Sequence, residues 1–297
     1  MSANNTKPSR RQFLGTAGLI GAGAVLASCA PATAATPAKA NLDVAIANFA
    51  LNLEYLEAAF YLAAVGRIAE LPGGSAQVIL PDGFDGKTAV PFKDAAVAAY
   101  AQEIAQDELN HVLFLRKVLG TAAVDRPVLD IGPAFAAAAN AAAGATLTPA
   151  FNPYLNDLFF LHGAFIFEDV GVTAYKGAAR LVTDDSANGI LESAAGILAV
   201  EAYHAGEIRT LLYAQKDVVT PYGVTVEQLI QKISDLRGKV GGGKDQGLTV
   251  GGKANIVVAD ENSVAYSRST AEVLAIVYLG GAGKGGFFPN GLNGALK

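Results

Sequence analysis

The chain has 297 residues, a net charge of −5, and 52% apolar against 16% charged residues. That is enough apolar sequence to bury one large core, while an acidic balance without a basic cluster excludes nucleic acid as an expected partner. A single cysteine excludes an intramolecular disulfide framework.

The N-terminus reads as an export signal. Ser9-Arg10-Arg11-Gln12-Phe13-Leu14-Gly15 has the form of a twin-arginine signature. The apolar, Gly/Ala-rich stretch that follows, to Ala27, is about 15 residues long, too short for a stable membrane span. It ends in Leu26-Ala27-Ser28-Cys29, a lipoprotein-like cleavage box in which Cys29 becomes the lipidated first residue of the mature chain. The alternative is simple signal cleavage near Ala32-Thr33-Ala34. A lipidated Cys29 would tether the protein to a membrane surface without spanning it. The expected location is therefore the periplasm or cell envelope. Residues 1–28 carry Lys7, Arg10 and Arg11 and no acid, so their removal takes the net charge from −5 to −8. The twin-arginine route exports folded proteins, which suits a cofactor loaded in the cytoplasm. Residues 29–41, rich in Ala, Pro and Thr, read as a tether.

Four long helices follow. Residues 42–68 carry apolar residues at helical spacing behind Asn41, a good cap. Residues 71–92, punctuated by Pro72, Gly73, Gly74, Pro81, Gly83 and Pro91, read as a loop insertion. Residues 93–119 form the second helix, stopped by Gly120. Residues 121–152 are a long connection with an Ala-rich short helix around 134–143. Residues 153–181 form the third helix, with Pro153 at its start, and residues 187–214 the fourth. In the tail, residues 224–236 and 270–278 read as short helices and 238–252 as a Gly-rich loop. Residues 256–258 and 264–266 flank Asp260-Glu261-Asn262-Ser263 as a small hairpin. Gly280–Gly285 has a faint phosphate-loop look, but the required spacing and the Ser/Thr after Lys284 are missing.

Within these helices two of the three histidines stand three residues after a glutamate: Glu108/His111 and Glu201/His204. Positions i and i+3 share a helix face, so each pair aims a carboxylate and an imidazole at one point. Upstream of each pair lies a glutamate followed by a tyrosine seven residues on, Glu54/Tyr61 and Glu168/Tyr175, and seven residues is two turns. Carboxylates in apolar stretches are rarely buried without a partner or a metal. The order Glu, Glu-x-x-His, Glu, Glu-x-x-His on four helices, with a long crossover between the second and third, is the ligand order of a dinuclear four-helix bundle. The expected ligands are Glu54, Glu108, His111, Glu168, Glu201 and His204. Glu57 lies one turn after Glu54; its counterpart in the repeat is Gly171, which cannot ligate, so Glu57 is expected behind the ligands or paired with Arg67 or Lys176. Tyr61, Tyr175 and Tyr203 are expected behind the ligands as donors to carboxylates or carriers of redox equivalents, or as half-buried core tyrosines, the last ahead of the redox role. Glu103, Asp107 and Glu207 read as solvated helix charges, one of which could orient a histidine. His162, without a Glu at i−3, reads as structural.

On these motifs the chain resembles the ferritin-like superfamily. Asn48–Tyr61 (NFALNLEYLEAAFY) is similar to the opening helix of the ferritin-like domain family that includes desiccation-related proteins. The stretches Ala265–Tyr278 and Gly285–Gly291 resemble the tail of those proteins. The expected fold is all-α: a ferritin-like four-helix bundle over 42–215 and an irregular C-terminal extension over 216–297 packed upon it.

Four carboxylates and two imidazoles suit hard or borderline ions, so the expected cofactors are two iron or manganese ions, whose charge four ionised carboxylates offset. Such a pair can exchange two electrons with O2 or peroxide. The expected function is oxidase- or peroxidase-type stress protection outside the cytoplasm. The alternative is a non-catalytic desiccation or stress protein in which the metal site is structural or lost. A homo-oligomer is compatible with the bundle, but the loop insertion and long tail argue against a tightly packed storage cage.

Overall fold

The computed structural model describes residues 41–297; the signal segment, Cys29 and the tether as far as residue 40 lie outside the described residues. Four long helices are present in the expected order: α1 (Asp43–Ala64), α2 (Ala95–Leu119), α4 (Asp157–Ala179) and α5 (Ile190–Ala214). The crossover between α2 and α4 carries the short helix α3 (Pro133–Ala143), and the extension carries α6 (Val226–Val240) and α7 (Thr270–Val277).

Local chemistry sets the ends. The Asn41 side chain accepts a bond from the Asp43 N–H, and Gly66, at φ 79°, turns the chain out of α1. Asp94 caps α2 through the N–H groups of Ala96 and Val97, so that helix starts two residues after the expected Lys93. The third bundle helix starts later than predicted, at Asp157 rather than Pro153, because Asn156 takes the cap position and accepts from the Phe159 N–H at 3.0 Å. Thr225/Gln228 and Ser269/Glu272 form capping boxes on α6 and α7.

The packing is uneven. Helix α1 lies along α2, α4 lies along α5, and the two pairs meet through α1 and α4. Of the 22 residues of α1, 19 are buried, and of the 23 of α4, 17 are. Only 9 of 25 are buried in α2 and 7 of 25 in α5. A helix apolar on all sides must be covered on all sides, and the crossover and the extension provide that cover. Phe287 of the extension packs edge-on against Phe135 of α3 and Phe167 of α4, at centroid distances of 5.1 and 4.9 Å. Helix α7 rests on α4 and α6, and α6 on α3. In the loop insertion, β1 (Val78–Ile79) pairs in parallel with β2 (Leu129–Asp130) of the crossover.

A buried ionic network fixes the extension to the bundle. Asp169 of α4 accepts from Arg209 of α5 at 2.9 Å and from Arg237 of α6 at 2.8 Å. Asp245 accepts from Arg237 at 2.8 Å and from Arg268 at 2.9 Å. Arg209 also donates to the carbonyls of Gln246, Gly247 and Asn255.

The tail hairpin differs from expectation. Around Asp260–Ser263 the two arms meet in one antiparallel bridge, Ala259 to Ala265. The two-residue ladder lies earlier, between β3 (Thr249–Val250) and β4 (Lys253–Ala254). Gly251 and Gly252, at φ 58° and 76°, supply the left-handed turn that a two-residue hairpin demands.

Candidate metal centre

The six predicted ligands converge between the four bundle helices, and all are buried: Glu54 from α1, Glu108 and His111 from α2, Glu168 from α4, Glu201 and His204 from α5. His111 Nδ1 stands 3.1 Å from Glu54, 3.5 Å from Glu108 Oε2 and 3.8 Å from Glu201. His204 Nδ1 stands 3.2 Å from Glu108 Oε1 and 3.6 Å from Glu168. The two imidazoles are 6.5 Å apart. Glu108 thus offers one oxygen to each histidine and lies between two half-sites.

In the first half-site, Glu54, Glu108, His111 and Glu201 bring one ligand atom each within 4.8 Å of one another. Both carboxylate oxygens of Glu108 and of Glu201, one of Glu168 and His204 Nδ1 are buried without a hydrogen-bond partner. Buried polar atoms are ordinarily satisfied, so a converging set of orphaned carboxylate oxygens with an imidazole nitrogen among them fits a cation.

The electrostatics agree. Burial, reinforced by Glu108, lifts the Glu54 carboxyl to about 7 against the pull of His111. Burial and neighbouring carboxylates push Glu57 and Glu201 well above the ordinary range, and burial raises Glu168. Burial acts on Glu108 too, but His111 and His204 together hold it below the usual value. Burial alone would lower both histidines; instead Glu54 and Glu108 drive His111 up to about 11, and Glu168 and Glu108 drive His204 up to about 12. The cluster therefore holds positive charge at its centre as protons.

The supporting residues divide. Tyr61 of α1 donates to Glu168 of α4, and Tyr175 of α4 donates to Glu54 of α1, so each tyrosine serves the glutamate of the other helix. Glu57 is buried among the same carboxylates. It does not pair with Arg67, which binds Glu70 at 2.7 Å, or with Lys176, which donates to Ser267 at 3.1 Å. Tyr203 corrects an expectation: it is 79% exposed, because position i+2 from Glu201 points away from the ligand face. His162 is a core residue; its Nδ1 lies 2.7 Å from the Leu158 carbonyl, and burial lowers its pKa to about 4.

Two residues take fuller roles than the sequence indicated. Of Glu103, Asp107 and Glu207, it is Asp107 that faces a histidine: it lies 3.2 Å from His204 Nε2, which leaves Nδ1 for the centre. Gly171 lies where a Cβ would overlap Glu201 Oε2 and stand 3.5 Å from Glu57 Oε1. Its missing side chain makes the room in which those two carboxylates meet.

Comparison with known proteins gives the same fold family. Residues 42–214 match the family model described as Ferritin-like domain. The chain is 37% identical over 251 residues to the desiccation-related protein PCC13-62 of Craterostigma plantagineum, covering 78% of this chain and 76% of that protein. It is 31% identical over 285 residues to the ferritin-like catalase Nec2 of Nesocodon mauritianus, covering 91% of this chain and 89% of that protein. No solved structure matches it significantly.

Proposed function

The chain belongs to the ferritin-like domain family, and from that premise we propose that it is an exported protein with a dinuclear iron or manganese centre that protects against oxidative stress by turning over peroxide or O2. The observation that carries this reading is the set of orphaned, buried ligand atoms on Glu108, Glu168, Glu201 and His204.

Glu54, Glu108, His111 and Glu201 would hold one ion, and Glu108, Glu168 and His204 the other, with Glu108 shared between them. Bound there, two redox-active ions supply a two-electron couple for peroxide or O2. The protein's own part is positioning. Tyr175 and Tyr61 fix one oxygen each of Glu54 and Glu168. Asp107 fixes the ring of His204. The apolar packing of α1 and α4 excludes bulk water, which strengthens each charge interaction inside. A relative named as a ferritin-like catalase supports peroxide as the substrate. The twin-arginine signature supports export after folding, and Cys29 supports attachment to a membrane surface, with simple cleavage near Ala32-Thr33-Ala34 as the other outcome.

The test is metal content together with turnover. Protein exported by its native route should carry about two ions per chain, and the double substitution His111→Ala/His204→Ala should lose them. Full occupancy in that variant would refute the ligand assignment. A second reading, non-catalytic protection, is favoured by the desiccation-related relative. Metal-loaded protein that neither degrades peroxide nor oxidises Fe(II) with O2 would select it.

A further inference from the structure

Two cavities lie end to end beneath the C-terminal extension. The outer one has a volume of 50 Å³, between α3, α6 and α7. Its rim includes the exposed Ala141 and the half-buried Ala142, Leu236 and Val240. The inner one has a volume of 20 Å³, and every residue lining it is buried. Ile166, Ile276 and Phe287 line both, so the two are separated only by shared side chains. The inner cavity ends at Glu57 and Gly171, the place where α4 lacks a side chain and Glu57 meets Glu201. The walls are aliphatic and aromatic, except for Glu57 at the inner end and Arg237 at the outer. The Arg237 guanidinium is engaged by Asp169 and Asp245.

We infer that this is a passage for dioxygen between solvent and the metal centre, built by the extension; the inference rests on the metal reading of that centre. Size decides the class of occupant. One water-sized molecule needs roughly 10–15 Å³ measured this way, so the inner cavity admits a diatomic molecule and no alkyl chain or ring. Polarity decides between the two small oxidants. Hydrogen peroxide would enter with its hydroxyl donors unpaired, which burial in an apolar cavity penalises; dioxygen has none to leave unpaired. The passage carries O2 inward if the centre consumes it and outward if peroxide disproportionation produces it.

The probe is xenon, which seats in dry apolar cavities. Crystals of the metal-loaded mature chain under xenon should show it beside Ile166, Ile276 and Phe287. Val277→Phe fills the inner cavity, and Ala142→Phe, at a half-buried position, narrows the outer rim. In stopped-flow mixing, each should slow oxidation of the Fe(II)-loaded protein by O2 about tenfold, because a close-packed interior leaves a phenyl ring no way around. Both should leave oxidation by peroxide unchanged, with bound iron equal to wild type. Absence of xenon from both cavities, or wild-type O2 kinetics in both variants, overturns the passage. Iron stoichiometry is read on the same samples, so a chain that seats xenon but binds no iron fails the metal reading alone.

Discussion

Five buried carboxylates and two histidines share the centre of the bundle, and their titration sets how the metal-free protein responds to pH. Glu54 ionises near 7 in the folded chain, against an ordinary 4.5. The folded state therefore holds a proton that the unfolded state has released, and stability falls as pH rises from about 4.5 through about 7. His111 and His204, raised from 6.5 to about 11 and about 12, have the same sign and extend the fall above pH 6.5. Glu108 has the opposite sign, but its contribution is lost only as pH falls below the ordinary carboxylate range. The urea midpoint of metal-free protein should thus be lower at pH 8 than at pH 5. Added Mn(II) should raise the pH 8 midpoint, since ions replace the protons. A midpoint that rises between pH 5 and 8 without metal would contradict this charge arrangement.

At the level of elements, α4 serves two sites from adjacent positions. Glu168 faces the buried Glu/His cluster, and Asp169 faces the arginines of α5 and α6. Successive helical positions are separated by about 100°, so one helix can hold a ligand and anchor the extension at the same time. Gly177 permits the contact further along: a Cβ there would overlap the Arg268 carbonyl, and the Arg268 N–H donates to Thr173 at 2.9 Å. Asp169→Asn leaves two buried guanidiniums short of a charge, which costs about 3–5 kcal/mol. Thermal unfolding should show this as a fall in Tm of roughly 2–4 °C per kcal/mol. A Tm within one degree of wild type would show that Asp169 is not the anchor.

For the whole molecule, the extension is part of the core. Phe287 fills the space between α3 and α4, and the Asn52 side chain donates to the Asn293 carbonyl and accepts from the Asn293 N–H, tying the tail to α1. Without these covers, the apolar sides of α1 and α4 would face water, and exposed patches of that size drive association. A chain ending at Ala214 should therefore aggregate or elute as large oligomers in size-exclusion chromatography, while residues 29–297 elute as a defined species. A truncated chain with full helical content and a defined small size would refute the role given to the extension.

By itself the sequence determined the four helices, their order, the long crossover and the six residues that converge. Each follows from short-range rules: helical periodicity, capping residues, and an i, i+3 spacing that places Glu and His on one face. The same rules place helix ends less sharply: Pro153 suits a first helical turn, but Asn156 caps the helix and starts it at Asp157. Tertiary structure alone decided which tyrosine serves which glutamate, that Asp107 orients His204, and that Asp169 holds the extension. Those pairings join residues up to 121 positions apart, as Tyr175 to Glu54. Their partners are set by how helices pack against each other, and no spacing along one helix encodes that.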